Sequence, residues 1–555
     1  MQQLSDFLTL IDSYIGSSEW FVYLLLGTGL FFTIYLGFPQ FRYFGHAIKV
    51  VSGKFDKKSD GGDTSHFGAL STALSGTVGT GNIAGVALAI HLGGAAAIFW
   101  MLMTAMLGMA TKFVEVSLSL KYREVQSDGS YSGGPMYYMK NRLGARWLAV
   151  IFAIATILSS FGTGSLPQIN SIANSLEATW GMDKVWTGII LSVLLGLVII
   201  GGIKRISSVS QRIVPLMATL YFICGIMVLI NNYENILPSI SAIFSDVFTG
   251  TAATGGFLGA GFAWAFNRGV NRGLFSNEAG QGSAPIAHSA ARTSEPVSEG
   301  MVSLLEPFID TIIICFLTGV ILLSSGVWNE KHFNEFQRAD MYIIEGSGYI
   351  ETNESDVKNI SEFLASGTST DNIALSNGTI QVVDGEIISD VTVLHSRSLA
   401  QNVVVRDNDV PYSGELTIKN GKVEQGVKIS GESLLHSAPL TTEAFKQGFL
   451  GDWGGYIIPI SLLLFAFSTA IAWSYYGDRA ITFLFGVKAV PYFRIFYTIA
   501  FAFGAFVDTS IIWIFSGITI AFMTIPNLLG ILILHKDAKK MLKDYTHKIK
   551  GNAKE

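Results

Sequence analysis

The chain has 555 residues, of which 50% are hydrophobic and only 14% charged, against about 25% charged in an ordinary soluble protein. A soluble chain of this length would need more polar surface, which excludes a conventional soluble enzyme and a disordered chain. The formal net charge of −5 argues against a nucleic-acid partner.

Apolar stretches long enough to cross a bilayer, which takes about 20 residues, recur along the chain. Trp20 to Gly37 is the first, His66 to Gly93 the second, Ala95 to Leu120 the third and Trp147 to Leu166 the fourth. Val185 to Ile203, Ile213 to Ile230, the glycine-rich Ala252 to Ala291 and Val302 to Val327 follow. Tyr456 to Tyr476, Val490 to Val507 and Thr509 to Leu534 complete eleven predicted spans. Cys224 and Cys315 lie inside apolar runs and read as small buried hydrophobes.

Lys and Arg favour the cytoplasmic side. Met1 to Glu19 has neither, and it has no basic region of the kind that opens a signal peptide. The clusters Arg42 to Lys58, Lys121 to Arg146, Lys204 to Arg212 and Lys536 to Lys554 all fall on one side if eleven spans are counted. The N-terminus is then outside and the C-terminus in the cytoplasm.

Asn329 to Asp452 breaks the pattern. It is polar and lies outside in this topology. It carries nine Lys and Arg against nineteen Asp and Glu, a net of −10, which leaves +5 for the remainder. Thr379 to Val383, Glu386 to Leu394, Asn402 to Arg406, Glu415 to Lys419 and Lys422 to Ile429 alternate like strands. Asn420-Gly421 is a two-residue hairpin signal. Sequons at Asn353, Asn359 and Asn377 fit chance in a Ser/Thr/Asn-rich stretch.

The expected fold is thus an all-α polytopic membrane protein with a small β-rich extracytoplasmic insertion. Residues 1–65 hold the external N-terminus, first helix and a cytoplasmic loop. Residues 66–232 form a first five-helix set. Residues 233–328 open a second set, 329–452 are the insertion, 453–535 finish the second set and 536–555 are a basic tail.

Two glycine-interrupted segments carry the functional signal. Ala73-Leu-Ser-Gly-Thr-Val-Gly-Thr-Gly-Asn-Ile-Ala-Gly85 places Gly76, Gly79, Gly81 and Gly85 inside the second span. Each glycine costs roughly 1 kcal/mol relative to Ala in a helix interior. One explanation is a small-residue packing face. The other is a broken helix, favoured because Thr77, Thr80 and Asn82 bring polar groups to membrane depth. Gly269-Val-Asn-Arg-Gly-Leu-Phe-Ser-Asn-Glu-Ala-Gly-Gln-Gly-Ser-Ala-Pro285 repeats the pattern in the seventh span. Spans two to six and seven to eleven thus form two sets of five of opposite orientation, each starting with an interrupted helix. Such a pair points to a transporter's midplane site. A half-helix starting near Gly81 would offer amides to a carboxylate, and carbonyls freed near Gly76 and Val78 would suit sodium.

Other polar residues are weighed against this site. Ser468 and Thr469 sit side by side in the ninth span and either bond their own helix or join the site. Trp473, one turn on, either walls an apolar pocket or anchors at the interface. Gln168 is an interface residue or a ligand donor. Lys112 and Glu115, at i, i+3 on the third span, read as a structural ion pair, with a relay as the alternative. Arg268, Arg272 and Glu278 read as a gate or structural network. His66, His91 and His288 lie at span ends, with no metal-ligand spacing.

Thr77-Val-Gly-Thr-Gly-Asn-Ile-Ala-Gly-Val86, Ser132-Gly-Gly-Pro-Met-Tyr-Tyr138, Arg272-Gly-Leu-Phe-Ser-Asn-Glu-Ala-Gly-Gln-Gly-Ser-Ala-Pro-Ile-Ala-His288, Phe465 to Tyr476 and Pro526-Asn527 resemble the alanine or glycine:cation symporter family, the sodium:alanine symporters. The similarity runs from about Trp20 to Trp328 and from Leu440 to the last span. The resemblance implies a LeuT-type fold, with five-plus-five inverted repeats behind one extra N-terminal helix. It implies sodium-coupled import of alanine and glycine, with D-alanine a further candidate, by alternating access in a bacterial inner membrane. It carries the substrate site onto Thr77, Gly79, Thr80, Gly81, Asn82, Gln168, Gly273, Phe275, Ser276, Asn277 and Trp473. By the same resemblance, sodium lies between the Gly76 and Val78 carbonyls and the Ser468 and Thr469 hydroxyls, with a second sodium near Thr77 and Asn82. Sodium is the coupling ion, no organic cofactor is implied, and the partners are the amino acid, sodium and the bilayer. The insertion departs from the family pattern and leaves room for an unassigned partner. The competing hypotheses are a membrane-embedded amino-acid sensor using the insertion as its ligand domain, an intramembrane enzyme, and a channel.

Overall fold

The computed structural model describes residues 2–16, 18–55, 60–250, 258, 261–366, 369–370, 372–507 and 509–552. The start of the seventh predicted span, with Lys57, Lys58 and Lys554, lies outside the described residues.

The apolar sequence is helical. Among the described residues, six helical stretches are long and apolar enough to cross a membrane: Ala96–Lys121, Arg146–Trp180, Gly202–Asn231, Pro296–Ser325, Gly451–Phe485 and Ile511–Ile533. The pair His66–Thr77 and Gly81–Gly93, bent by 53°, makes a seventh if counted as one span. Glu19–Tyr35 and Lys184–Ile199 are apolar but shorter. The protein is therefore a multi-pass membrane protein.

The exterior agrees with a lipid setting. Along Lys184–Ile199, Val185, Ile189, Val193 and Leu197 recur every four residues and are exposed. Gly188, Leu191 and Leu195 on the opposite side are buried. An apolar outward stripe on a helix suits hydrocarbon, where the helix satisfies its own backbone.

Close packing inside depends on small residues. Gly269 and Gly273 lie one turn apart on helix Phe262–Asn277. A Cβ on Gly269 would come 2.5 Å from the Ala97 carbonyl oxygen, and one on Gly273 would come 3.0 Å from Thr104 Cβ. This is the GxxxG logic of close helix approach.

Among the described residues, 329–452 contain three small antiparallel sheets. Val410–Pro411, Gln401–Asp407, Lys428–Leu434 and Lys331–Glu335 form one in that order. Lys422–Val423, Gly414–Lys419, Gly378–Val383 and Glu386–Ile387 form a second. Met341–Glu345, Val391–His395 and Ser398–Leu399 form the third. Met341, Ile343, Ile380, Val405, Leu416 and Ile429 share one buried cluster. Asn420 and Gly421 adopt positive φ of 48° and 71° and join the paired Lys419 and Lys422, as a primed hairpin turn requires.

The strand expected over Glu386 to Leu394 is interrupted, because Ile387 and Val391 end in different sheets. The strand expected over Lys422 to Ile429 is likewise split around Gln425-Gly426. The strands Lys331–Glu335 and Met341–Glu345 and the helix Glu354–Ser366 had no counterpart in the sequence reading. The two strands are short and their apolar residues do not alternate cleanly, whereas the helix carries Val357, Ile360 and Leu364 at helical spacing within a polar stretch.

Candidate functional site

Ser65 caps the helix His66–Thr77 by accepting the Gly68 N–H at 3.1 Å. The helix stops at Val78, whose ψ of 91° is extended. Gly81–Gly85 then forms a π-helical turn that passes into Val86–Gly93. The backbone freed at the break finds side-chain partners. Gly79 donates its N–H to Asn82 Oδ1 at 2.9 Å, and Thr80 donates to Gln168 Oε1 at 3.4 Å. Thr469 donates its hydroxyl to the Val78 carbonyl at 3.4 Å. A Cβ on Gly79 would sit 2.5 Å from Thr469 Oγ1, so only glycine fits there.

Asn82 leads to a group absent from the sequence reading. Its Nδ2 lies 2.6 Å from Asp310 Oδ1, 3.1 Å from the Asp310 carbonyl and 3.2 Å from Ser276 Oγ. Asp310 Oδ2 accepts from Ser276 at 2.8 Å and from Thr311 at 2.6 Å. Cys315 Sγ lies 3.1 Å from Ser276 Oγ. Asp310, Thr311 and Cys315 belong to a second π-helical segment, Phe308–Cys315. All five residues are buried. The signal was a pair of carboxylates, Glu306 and Asp310, inside the eighth predicted span, since an intramembrane acid marks a functional position.

The second interruption comes slightly later than the expected residues. Gly273, Phe275, Ser276 and Asn277 occupy the last turn of helix Phe262–Asn277. Glu278 turns into the left-handed region at φ 54°, Gly280 and Gly282 follow at 88° and 81°, and Ala284–His288 resumes a helix. Glu278 accepts a hydrogen bond from Trp473 Nε1 at 2.9 Å. Trp473 is 0% exposed, so it is an internal wall against Gly164 and not an interface anchor.

The candidate residues therefore fall into groups. Val78, Gly79, Thr80, Gln168 and Thr469 meet at the first break. Asn82 and Ser276 meet at Asp310. Gly81 lies against Phe275, at 3.1 Å for a Cβ placed on it. Thr77 bonds back to its own helix through the Ala73 and Leu74 carbonyls. Gly76 faces the Tyr476 hydroxyl, and Ser468 pairs with Ser75, which donates to the Ser468 carbonyl at 2.7 Å. Gly273 packs on Thr104, and Asn277 reaches Thr311 at 3.4 Å.

Two expected contacts are replaced by others. Lys112 does not pair with Glu115. It pairs with Glu306, whose other oxygen lies 3.6 Å from His288 Nε2. His288 meets Glu299 at 2.5 Å, and Glu299 also binds His66. Glu115 instead accepts from Asn527. An i, i+3 pair leaves both ends on one helix face. Here burial forces each charge onto a neighbouring helix, because an unpaired charge in the interior is costly. Arg268 and Arg272 lie over the rings of Trp264 and Trp513 at 4.1 and 5.5 Å, away from the Glu278–Trp473 bond.

Chemically, the two breaks bring backbone carbonyls, amides, hydroxyls and one carboxylate together inside an apolar shell. Oxygen-rich groups of this kind hold a hard cation or the charged ends of a zwitterion. The sequence profile of the sodium:alanine symporter family matches residues 1–347 and 421–555. An uncharacterized transporter of Haemophilus influenzae is 35% identical over 99% of this chain and 98% of its own length. The sodium/alanine symporter AgcS of Methanococcus maripaludis is 34% identical over 95% of both chains. The probable sodium/glutamine symporter GlnT of Bacillus subtilis is 29% identical over 99% of this chain and 93% of its own. Broken helices around a buried polar centre and a profile match on both sides of residues 348–420 lead to one conclusion: the chain belongs to the sodium:alanine symporter family, a family of transporters and not of enzymes.

Proposed function

We propose that this protein couples sodium entry to the import of small neutral amino acids by alternating access, with alanine and glycine as first candidates. The observation that carries the reading is the meeting of both broken helices, through Asn82 and Ser276, at Asp310. The proposed architecture has eleven spans, with five-plus-five inverted repeats of LeuT type behind the first helix. The N-terminus is outside, the C-terminus is cytoplasmic and the 329–452 segment is extracytoplasmic.

In this reading Thr77, Gly79, Thr80, Gly81 and Asn82 receive the carboxylate end of the substrate, with Gln168 and Trp473 as walls. Gly273, Phe275, Ser276 and Asn277 close the opposite side. One sodium uses the carbonyls near Gly76 and Val78 with the hydroxyls of Ser468 and Thr469. A second sodium uses Thr77 and Asn82, with Asp310 as its charge partner. One sodium moving down 100 mV releases about 2.3 kcal/mol, enough to concentrate an amino acid roughly 40-fold.

Purified protein in proteoliposomes should take up labelled alanine or glycine only with an inward sodium gradient. Equal uptake with potassium in place of sodium would remove the coupling claim. Uptake of glutamine in preference to alanine would move the substrate class toward that named for GlnT.

A further inference from the structure

Past the end of the first apolar helix, Glu19–Tyr35, the chain turns through Pro39–Arg42 into the helix Phe44–Val51. The last helix, His535–Asn552, packs beside this turn. Between them runs a groove of about 240 Å³, lined by Leu36, Arg42, Tyr43, Lys539, Lys543 and His547 among others. On the last helix the lining residues Lys539, Leu542, Lys543, Thr546 and His547 follow helical spacing, so one helix face forms the wall. That wall is fastened in place. His46 Nε2 meets the Tyr545 hydroxyl at 3.1 Å, and the Tyr43 hydroxyl meets Thr546 Oγ1 at 3.3 Å.

The charge of the groove is unbalanced. Lys539 and Lys543 stand one turn apart, where like charges repel, and Arg42 joins them in the lining. No carboxylate is among the described lining residues. Arg142 holds Asp537 at 3.0 Å, Lys548 holds Glu295, and Asp544 does not line the groove. Cations gathered in this way call for an anion.

The side toward the first helix is apolar. Lys539 Nζ lies 4.1 Å from the centre of the Tyr35 ring, and Phe31 stacks on Tyr35 at 5.1 Å. Phe31 and Ile34 are exposed, as is Phe41 beside Arg42. Cations at a span end above an outward apolar face complement a phospholipid, which places its phosphodiester at the interface and its chains below. A free phosphate would satisfy the cations and leave the apolar side unused.

We propose that this groove binds the phosphodiester headgroup of an anionic phospholipid, with Arg42, Lys539 and Lys543 on its phosphate oxygens and its acyl chains along Phe31 and Ile34. Arg42 supplies a planar fork that matches two oxygens, and the lysines act as point charges. The site stands apart from both helix breaks, and its test does not depend on transport.

Thermal melting of the purified full-length protein in maltoside micelles tests it, with dioleoylphosphatidylglycerol as the probe. The midpoint should rise saturably with phosphatidylglycerol and not with phosphatidylcholine. R42Q/K539Q/K543Q should raise the half-saturating mole fraction at least about tenfold. K536Q/K540Q removes charge from the same helix outside the lining and should leave that fraction within about twofold. Equal weakening in K536Q/K540Q would overturn the proposal, because diffuse tail charge would then suffice. So would an unchanged response in R42Q/K539Q/K543Q, or the same stabilisation by inorganic phosphate alone. If the triple variant does not fold, native mass spectrometry of Lys539→Gln decides. It should retain fewer phosphatidylglycerol molecules than wild type, and equal retention would overturn the site.

Discussion

Asp310 is a carboxylate with a full set of short partners and no cationic side chain among those bonded to it. Asn82, Ser276 and Thr311 all donate to it at 2.6 to 2.8 Å. Neutral donors can orient a buried carboxylate, but they do not cancel its charge, and a charge left so in an apolar interior calls for a counter-ion. Asp310→Asn keeps the shape and removes the charge. It should raise the sodium concentration for half-maximal uptake at least tenfold while the protein still folds. Asn82→Ala and Thr469→Ala should also weaken sodium-dependent thermal stabilisation more than they lower expression. Wild-type sodium dependence in all three variants would remove the site assignment.

The same residues show what the sequence could and could not convey. Gly79, Thr80 and Asn82 were legible because glycine and amide groups are conspicuous inside a span. Trp473 was ambiguous, since a tryptophan at a span end and one inside a pocket look alike in sequence. Its bond to Glu278 is a tertiary fact. Asp310 was not singled out, because its partners come from three separate segments and spacing along the chain does not encode them. Lys112 was read with the wrong partner because local spacing favours Glu115, whereas packing supplies Glu306.

Among the elements, the inserted sheets make the clearest case. Lys331 and Leu434 are cross-strand partners, so the two ends of the 331–434 part of the insertion lie about one strand spacing, roughly 4.8 Å, apart. Replacing residues 331–434 by a short glycine linker should therefore leave the helical body able to fold. If the segment is an accessory module, sodium-driven uptake should survive, with altered affinity. Complete loss of uptake in a well-folded deletion would favour the sensor reading. The altered affinity has a structural basis: Arg397, in the turn after Val391–His395, lies 5.8 Å from the Trp264 ring, whose Nε1 donates to the Leu92 carbonyl at 2.9 Å. The His436 ring also lies 5.3 Å from that of His91, tilted by 44°.

The insertion also sets a pH response. His395 Nε2 accepts the Gln337 N–H at 3.2 Å, and its Nδ1 pairs with Ser433 Oγ at 2.7 Å. Protonating Nε2 would break the first bond. Burial, with His436 and Lys422 nearby, pushes the His395 pKa down to about 3. The unfolded segment takes up its proton near pH 6.5, so stability is full above that value and declines as pH falls toward 3. By pH 5 the loss should reach about 2 kcal/mol. Thermal melts at pH 7 and 5 measure it, and His395→Gln should remove most of the difference. An unchanged pH response in that variant would show that another group titrates.

At the scale of the molecule, helical content and a membrane setting were plain from composition, and the break near Val78 was plain from glycine. The number of crossings was less so. Six or seven stretches reach full span length, while Lys184–Ile199 and Val490–Gly504 are shorter. A hydropathy run measures how long the chain stays apolar, and a turn such as Ile200-Gly201 shortens the helix inside it. Labelling decides the topology. Cys224 and Cys315 are both buried, so an introduced cysteine reports alone. Asp409→Cys should react with an impermeant maleimide on intact cells, and Lys543→Cys only after permeabilisation. The reverse pattern would invert the assigned orientation.

Asn82 and Asp310 share one further property: each sits in a π-helical turn, Gly81–Gly85 and Phe308–Cys315. A π turn holds one residue more than an α turn needs. If that residue is squeezed out, everything beyond it rotates by about 100° around the helix axis. A slip of either segment would therefore carry its polar side chain out of the cluster in one discrete step, without bending the helix. In the proposed sodium site the two wide turns would act like a pair of detents, with the ion held in one notch and let go in the next.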